Sequence, residues 1–487
     1  MRRWLSLALA LTASACAVGP NVRPPATPPA AAAPFVSATP AVASSDAPPT
    51  GWWRLYDDAT LDDLVQQALT ENNDLKVAAA NLAKARGVLS EARAGLFPTT
   101  DLAANDLWGV SSGDQLYDAI EDAKFSPSWY ATAGLNVSYQ VDLFGRIRRT
   151  IEAAHADAEA TAEAENVVRI TVAAETARAY ADACAYGERA ASARHSETVA
   201  RSILDVTTHM RDLGARSDFD LASAAAAEDE ARAAIPTLEG EERAQLYELA
   251  VLTGRPPAEI SKAAAACVAP PRIDKPLPVG DGAGLLKRRP DIRQAERQLA
   301  ADTARIGVAA ADFFPTVSLT GSGGSGGSSL KQFAAASSLT YQLGPMITWS
   351  FPNVAVARAE VIQAKAQASA SIASFDSVVL NALKETEQAL TTYDAELARH
   401  AALVQGRDDN QRAFDLAKLQ LQHGAIGFPD LLQTERNLAA AEAELAASDQ
   451  ALVDDQVAVF QALGGGWQDA PPVVPPSPPG EGGRTRR

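Results

Sequence analysis

The sequence predicts a mixed, internally duplicated fold: a barrel of long coiled-coil α-helices joined to a transmembrane β-barrel, with four strands per chain. Three observations predict it. One helix–break–helix plan is stated twice, each half holds a proline-free helical stretch roughly 100 Å long, and each break alternates apolar and polar residues with a period of two. A chain of 487 residues exceeds what one hydrophobic core usually organises, which suits a repeated architecture. The net charge of −17 argues against a nucleic-acid partner, because phosphate binding needs a basic face.

Residues 1–15 read as a signal peptide: Arg2 and Arg3 precede an apolar run from Trp4 to Leu11 and then small residues. Cys16 directly follows Ser14-Ala15, the position of the lipidated first residue in bacterial lipoproteins; plain secretion is the alternative. Nothing later offers ~18 consecutive apolar residues, so strands must make any membrane crossing. Residues 16–50 are Pro/Ala-rich and read as a lipidated, extended tether, and residues 468–487 as a disordered tail.

Between them lie two repeats. Residues 73–102 align without gaps on 290–319, GARSDFDL at 214–221 matches GAIGFPDL at 424–431, and LTG at 252–254 matches LGG at 463–465. The first repeat spans 51–270 with a strand hairpin at about 98–142, the second 271–467 with a hairpin at about 315–351. The helical stretches from Arg146 and from Val354 need partners along their whole length. Val167, Ile170, Ala174, Ala177, Ala181 and Cys184 step by three and four, as in a coiled coil. In the last helix, stripes through Leu431 and Leu432 recur every seven residues, which implies neighbours on two sides, as in a closed ring.

In the breaks, Trp129, Leu135, Val137 and Tyr139 alternate with Thr132, Asn136, Ser138 and Gln140, and Leu339 to Phe351 alternate likewise. Such strands suit a membrane barrel with a polar lumen. Known barrels of this kind need at least ~8 strands, so a chain with four must oligomerise. The glycine-rich run at 321–329 reads as a flexible outer loop.

The five histidines show no metal-ligand spacing and read as solvated helix positions; no metal site, cofactor or catalytic constellation is expected. Cys184 and Cys267 are expected to form a disulfide. Cys184 lies about 30 residues above the Gly214 turn, and the same climb up the returning helix leads to the segment bearing Cys267; two buried free thiols are the alternative. Gly214 and Gly424 suit left-handed helix ends, and Asp220 and Asp430 can cap the helices that follow.

The stretches CAVGPN at 16–21, GWWRLYDDATLDDLVQQALTENNDL at 51–75, SYQVDLFGRIRR at 138–149, LAVLTGRPP at 249–257 and the segment 285–321 together resemble the TolC-like outer-membrane efflux factors, in particular the lipoprotein NodT/OprM branch. The resemblance covers residues 16 to about 467. It implies a homotrimer set in outer-membrane lipid and reaching into the periplasm. It further implies a passive exit duct for drugs or other small toxic compounds, served by a periplasmic adaptor and an inner-membrane RND-type pump. An exit duct for peptide or protein secretion is the alternative within the family, and a periplasmic coiled-coil scaffold is the alternative from another class. By the same resemblance Gly214, Arg216, Ser217, Gly424 and Ile426 lie at the adaptor-contacting tips, Asp430 faces the lumen of the closed entrance, and Asp220 belongs to the network holding the tips shut. Gln433 stands where many relatives have a second acid.

Overall fold

The computed structural model describes residues 17–23, 29–110, 127–352 and 354–476. Its α-helices longer than four residues are α1 (Ala59–Glu71), α2 (Asn73–Ala94), α3 (Arg146–Asp212), α4 (Asp218–Leu252), α5 (Gly282–Arg288), α6 (Pro290–Ala311), α7 (Val354–Gln422) and α8 (Phe428–Ala462). The duplication appears in their lengths: α2 and α6 have 22 residues each, α3 and α7 have 67 and 69, and α4 and α8 have 35 each. Both repeats close with the same turn. Gly254 and Gly464 take φ of 71° and 69°, left-handed values that end α4 and α8.

The chain divides into two compact units. The first comprises residues 1–25, 83–160 and 295–375. It holds strands β2 (Thr99–Gly109), β3 (Ser128–Val141), β5 (Thr316–Gly327) and β6 (Leu339–Thr348), arranged as an antiparallel sheet in the order β2-β3-β5-β6. Phe97-Pro98 and Phe314-Pro315 fall between helix and strand in both repeats, where a proline cannot prolong the helix. The return to helix after β3 is capped by Asp142, whose carboxylate accepts the Ile147 and Arg148 amides at 3.0 Å, with Gly145 at φ 80° making the bend.

The glycine run is a correction to the sequence reading. Residues 321–327 form the far half of β5 and pair in unbroken register with β3, from Gly321↔Val137 to Gly327↔Ala131. Two of these glycines are required by contact. A Cβ at Gly324 would sit 2.7 Å from the Ala133 carbonyl oxygen, and one at Gly326 would sit 2.8 Å from the Tyr130 hydroxyl. At Gly324 and Gly326 neighbouring strand β3 occupies the space a side chain would take.

The second unit comprises residues 26–82, 161–294 and 376–487. Trp52 is its centre: it stacks on Phe460 of α8 at 5.0 Å and meets Trp53 and Tyr56 edge-on. Each such fully buried large side chain contributes about 1.5–3 kcal/mol through burial. Asp58 caps α1 by accepting the Thr60 and Leu61 amides, and its second oxygen accepts the Tyr180 hydroxyl of α3 at 2.9 Å. Buried Asn72 accepts the Asp74 and Leu75 amides and donates to the Leu252 carbonyl of α4. The stretch 51–75 thus fastens two repeats' helices at one point.

Two expectations need correction here. The segment from Pro29 onward, read as an extended tether, is strapped to the helices: Phe35 and Val42 are buried, and strand β1 (Ala43–Ser44) pairs with β4 (Leu277–Pro278). The Glu387 carboxylate of α7 accepts the amides of Val36 and Ser37 at 2.8 and 2.9 Å. Likewise, the first residues of the supposed tail do not leave the body, since Ala470 and Val473 pack against the core.

Candidate functional site

The sheet has one apolar face and one polar face, which follows from its register. Residues paired directly across antiparallel strands share a face. The pairs Leu102↔Leu135, Trp108↔Trp129, Tyr139↔Leu319, Gly323↔Tyr341, Gly321↔Leu343 and Val317↔Ile347 therefore set a continuous apolar surface across all four strands. The other face carries Asp101, Asn105, Thr132, Asn136, Gln140, Ser322, Thr340 and Gln342. Asp106 is the acid on the apolar side, and Leu107 and Met346 sit on the polar side. The apolar face is uncovered within the chain: Tyr341 is 86% exposed and Leu343 78%. Aromatic pairs mark both strand ends, Trp108 with Trp129 at 5.6 Å and, near the helices, Phe144 stacked on Phe314 at 4.5 Å.

Within the chain, β2 and β6 are each paired on one side only. Their outer edges present unpaired backbone groups, a template for another strand. Among the described residues no helix is long and apolar enough to cross a membrane.

The two helical turns of the second unit are built alike. After α3, Gly214 donates to Arg211 and Ala215 to Met210; after α7, Gly424 donates to Leu421 and Ala425 to Gln420. These are Schellman closures around glycines at φ 75° and 71°. The helices that follow are capped differently. Ser217 and Asp220 form a reciprocal box, the Asp220 carboxylate accepting the Ser217 amide at 3.1 Å and hydroxyl at 2.9 Å while the Asp220 amide donates to that hydroxyl. These bonds hold the Asp220 carboxyl below the usual range. At the second turn Gly427 has no side chain, and only the Asp430 carboxylate acts, accepting the Gly427 amide at 3.0 Å.

Asp220 and Asp430 are therefore each placed by a bond within their own turn. Arg216 reaches the other turn, its guanidinium 5.3 Å from the ring of buried Phe428. Ile426 is half-buried and Gln433 is exposed, its amide bonded to Asn437. Sequence reasoning passed over Glu435: it is buried, and desolvation holds its carboxyl above the usual range, with Glu442 adding to the rise and Arg436 opposing it.

Cys184 and Cys267 are joined as a disulfide with their Cα atoms 5.1 Å apart. Cys16 lies outside the described residues. One histidine departs from the solvated reading: His400 is largely buried, with Nε2 2.8 Å from an Asp449 oxygen. That pairing joins residues 49 apart on antiparallel helices, which no local spacing signals.

The comparisons with known proteins agree with this architecture. The solved outer-membrane channel OprN superposes with a TM-score of 0.84 at 33% identity, over 93% of this chain and 100% of that one. A toluene efflux pump outer membrane protein of Pseudomonas putida, TtgC, is 29% identical over 481 residues, spanning 95% of this chain and 96% of its own length. Nodulation protein T of Rhizobium leguminosarum bv. trifolii is 27% identical over 465 residues, 96% of this chain and 97% of that protein. The family model for outer membrane efflux proteins matches residues 64–255 and 284–465, one stretch in each repeat. The chain therefore belongs to the outer membrane efflux protein family, whose members are channels of the outer membrane and not enzymes.

Proposed function

We propose that three copies of this chain close a barrel of twelve strands across the outer membrane, four from each copy, and line a tunnel with twelve helices. The carrying observation is the single apolar sheet face bounded by two open edges. A four-stranded sheet with that face in water would be an aggregation site, whereas closure with two further copies pairs every edge and turns the face to lipid. The strands have 10 to 14 residues, and ~9–11 tilted residues suffice to span a bilayer.

The duct has no catalytic part in this reading. It conducts drugs or other small toxic compounds delivered by an RND-type inner-membrane pump through a periplasmic adaptor, which engages the Gly214 and Gly424 turns. A toluene pump among its relatives supports small apolar cargo over a secreted protein. Cys16 is lipidated in this reading and ties the N-terminus to the outer membrane; mass spectrometry of the mature N-terminus should find the lipid, and an unmodified Cys16 removes that anchor.

Reconstitution into a planar bilayer tests the function. Purified protein should run as a trimer by native mass spectrometry and give discrete conductance steps. A trimer without conductance would instead mark a periplasmic scaffold.

A further inference from the structure

Immediately after Cys16 the chain enters a fitted groove. Buried Arg149, one turn into α3, donates through Nε to the Val18 carbonyl at 3.2 Å and through one terminal nitrogen to the Gly19 carbonyl at 3.3 Å and the Asn21 side-chain oxygen at 2.9 Å. Its other terminal nitrogen binds the Glu152 carboxylate at 2.8 Å, which fixes the guanidinium plane. The Val18 amide donates to the Phe144 carbonyl at 3.2 Å, just past the end of β3.

Three glycines make the room. A Cβ at Gly145 would lie 2.6 Å from the Ala17 Cα, and one at Gly307 of α6 would lie 2.8 Å from both the Arg149 Cγ and the Val18 oxygen. From the segment's side, a Cβ at Gly19, whose φ is 102°, would lie 2.5 Å from the Gly307 Cα. A segment of loose tether would need neither a desolvated arginine spent on its carbonyls nor three glycines cleared around it.

We infer that Arg149, Gly145 and Gly307 form an intramolecular dock for Ala17–Asn21, and that this dock sets where the N-terminus meets the junction of sheet and helices. Arg149 is a positioning residue. It binds the two repeats through their N-terminal extension, since α3 belongs to the first repeat and α6 to the second. Any attachment N-terminal to Ala17 would thereby be tethered beside Phe144 and Gly145, where the chain passes from β3 into α3. The inference stands on these contacts and not on lipidation or conductance, and its test separates them.

A nitroxide placed at Pro20→Cys in the reconstituted full-length protein reports the seating, because the Pro20 side chain makes none of the bonds above. The native dock should give an immobilised spectrum. Arg149→Ala should shorten the rotational correlation time several-fold, with partial recovery in Arg149→Lys. Gly19→Ala changes only the segment and should release the label in the same way, which covers the case in which Arg149→Ala fails to fold. An unchanged spectrum in Gly19→Ala, or in a folded Arg149→Ala trimer, would overturn the dock; conductance should persist in both variants.

Discussion

At the scale of single residues, the two tip aspartates differ although their positions in the repeat match. Asp220 accepts both the Ser217 amide and hydroxyl on one oxygen, whereas Asp430 accepts the Gly427 amide alone. In the proposed trimer, three Asp430 carboxylates near a threefold axis would together attract cations. Asp430→Asn should therefore weaken cation preference and block by multivalent cations in bilayer recordings, whereas Asp220→Asn should chiefly change how readily the tips open. Unchanged preference and block would make Asp430 a helix cap only. Further up α8, burial pushes Asp454 to about 7; the Asp182 carboxylate raises it further and Arg178, with Nε 3.6 Å away, offsets part of the rise. The folded pKa of this acid lies above its ordinary value of 3.8, so its contribution to stability is complete below that value and is lost as pH rises towards 7. Asp454→Asn should raise the melting temperature at pH 8 and leave it unchanged near pH 4, as read by calorimetry.

At the scale of elements, the long helices, their turns and the hairpin positions were legible because each has a local cause. Proline-free stretches with apolar steps of three and four gave α3 and α7, and Phe-Pro marked both passages into strand. The strapped segment at 29–50 was not legible, since it has no periodicity and its fit depends on distant residues: a Cβ at Gly282 would lie 2.2 Å from the Ala31 carbonyl oxygen. The strand through the glycine run was hidden for a similar reason, because β3 supplies its register. The arginine dock lay within three quoted stretches, yet nothing in their spacing said that they meet. The disulfide fastens α3 to the segment beyond α4 across a sequence separation of 83 residues. Closure of such a loop restricts the unfolded chain by about 4.5 kcal/mol as an upper guide. Reduction should lower the melting temperature of the helical unit, and thiol labelling of denatured, unreduced protein should find neither Cys184 nor Cys267 free.

At the scale of the whole molecule, the proposal turns on which sheet face meets lipid. Leu343 and Gln342 are neighbours on β6 whose side chains lie on opposite faces. An arginine on the lipid face of a barrel costs about 2–4 kcal/mol near the bilayer midplane. Leu343→Arg should therefore reduce the protein recovered in outer-membrane fractions, while Gln342→Arg should insert normally and shift ion selectivity. Equal recovery of the two would contradict the assigned faces. The tail bears on the same scale: Ala470 and Val473 lie on the core, so truncation at 467 should loosen the helical unit, contrary to a reading in which those residues hang free.

The glycine run of β5 has a further consequence for how such a wall can change over generations. Adjacent glycines there are under opposite constraints. At Gly324 a single added carbon meets the Ala133 oxygen at 2.7 Å, whereas at Gly323 the nearest atom, the Thr340 oxygen, is 3.8 Å away. Gly323 faces the apolar side with Tyr341, and Gly324 faces the polar side with Thr340. Gly323 can thus acquire a side chain in a single substitution, whereas Gly324 stays bare unless β3 changes in the same step. Two neighbouring positions of one strand are therefore free to drift at different rates, and Gly324 is the slower.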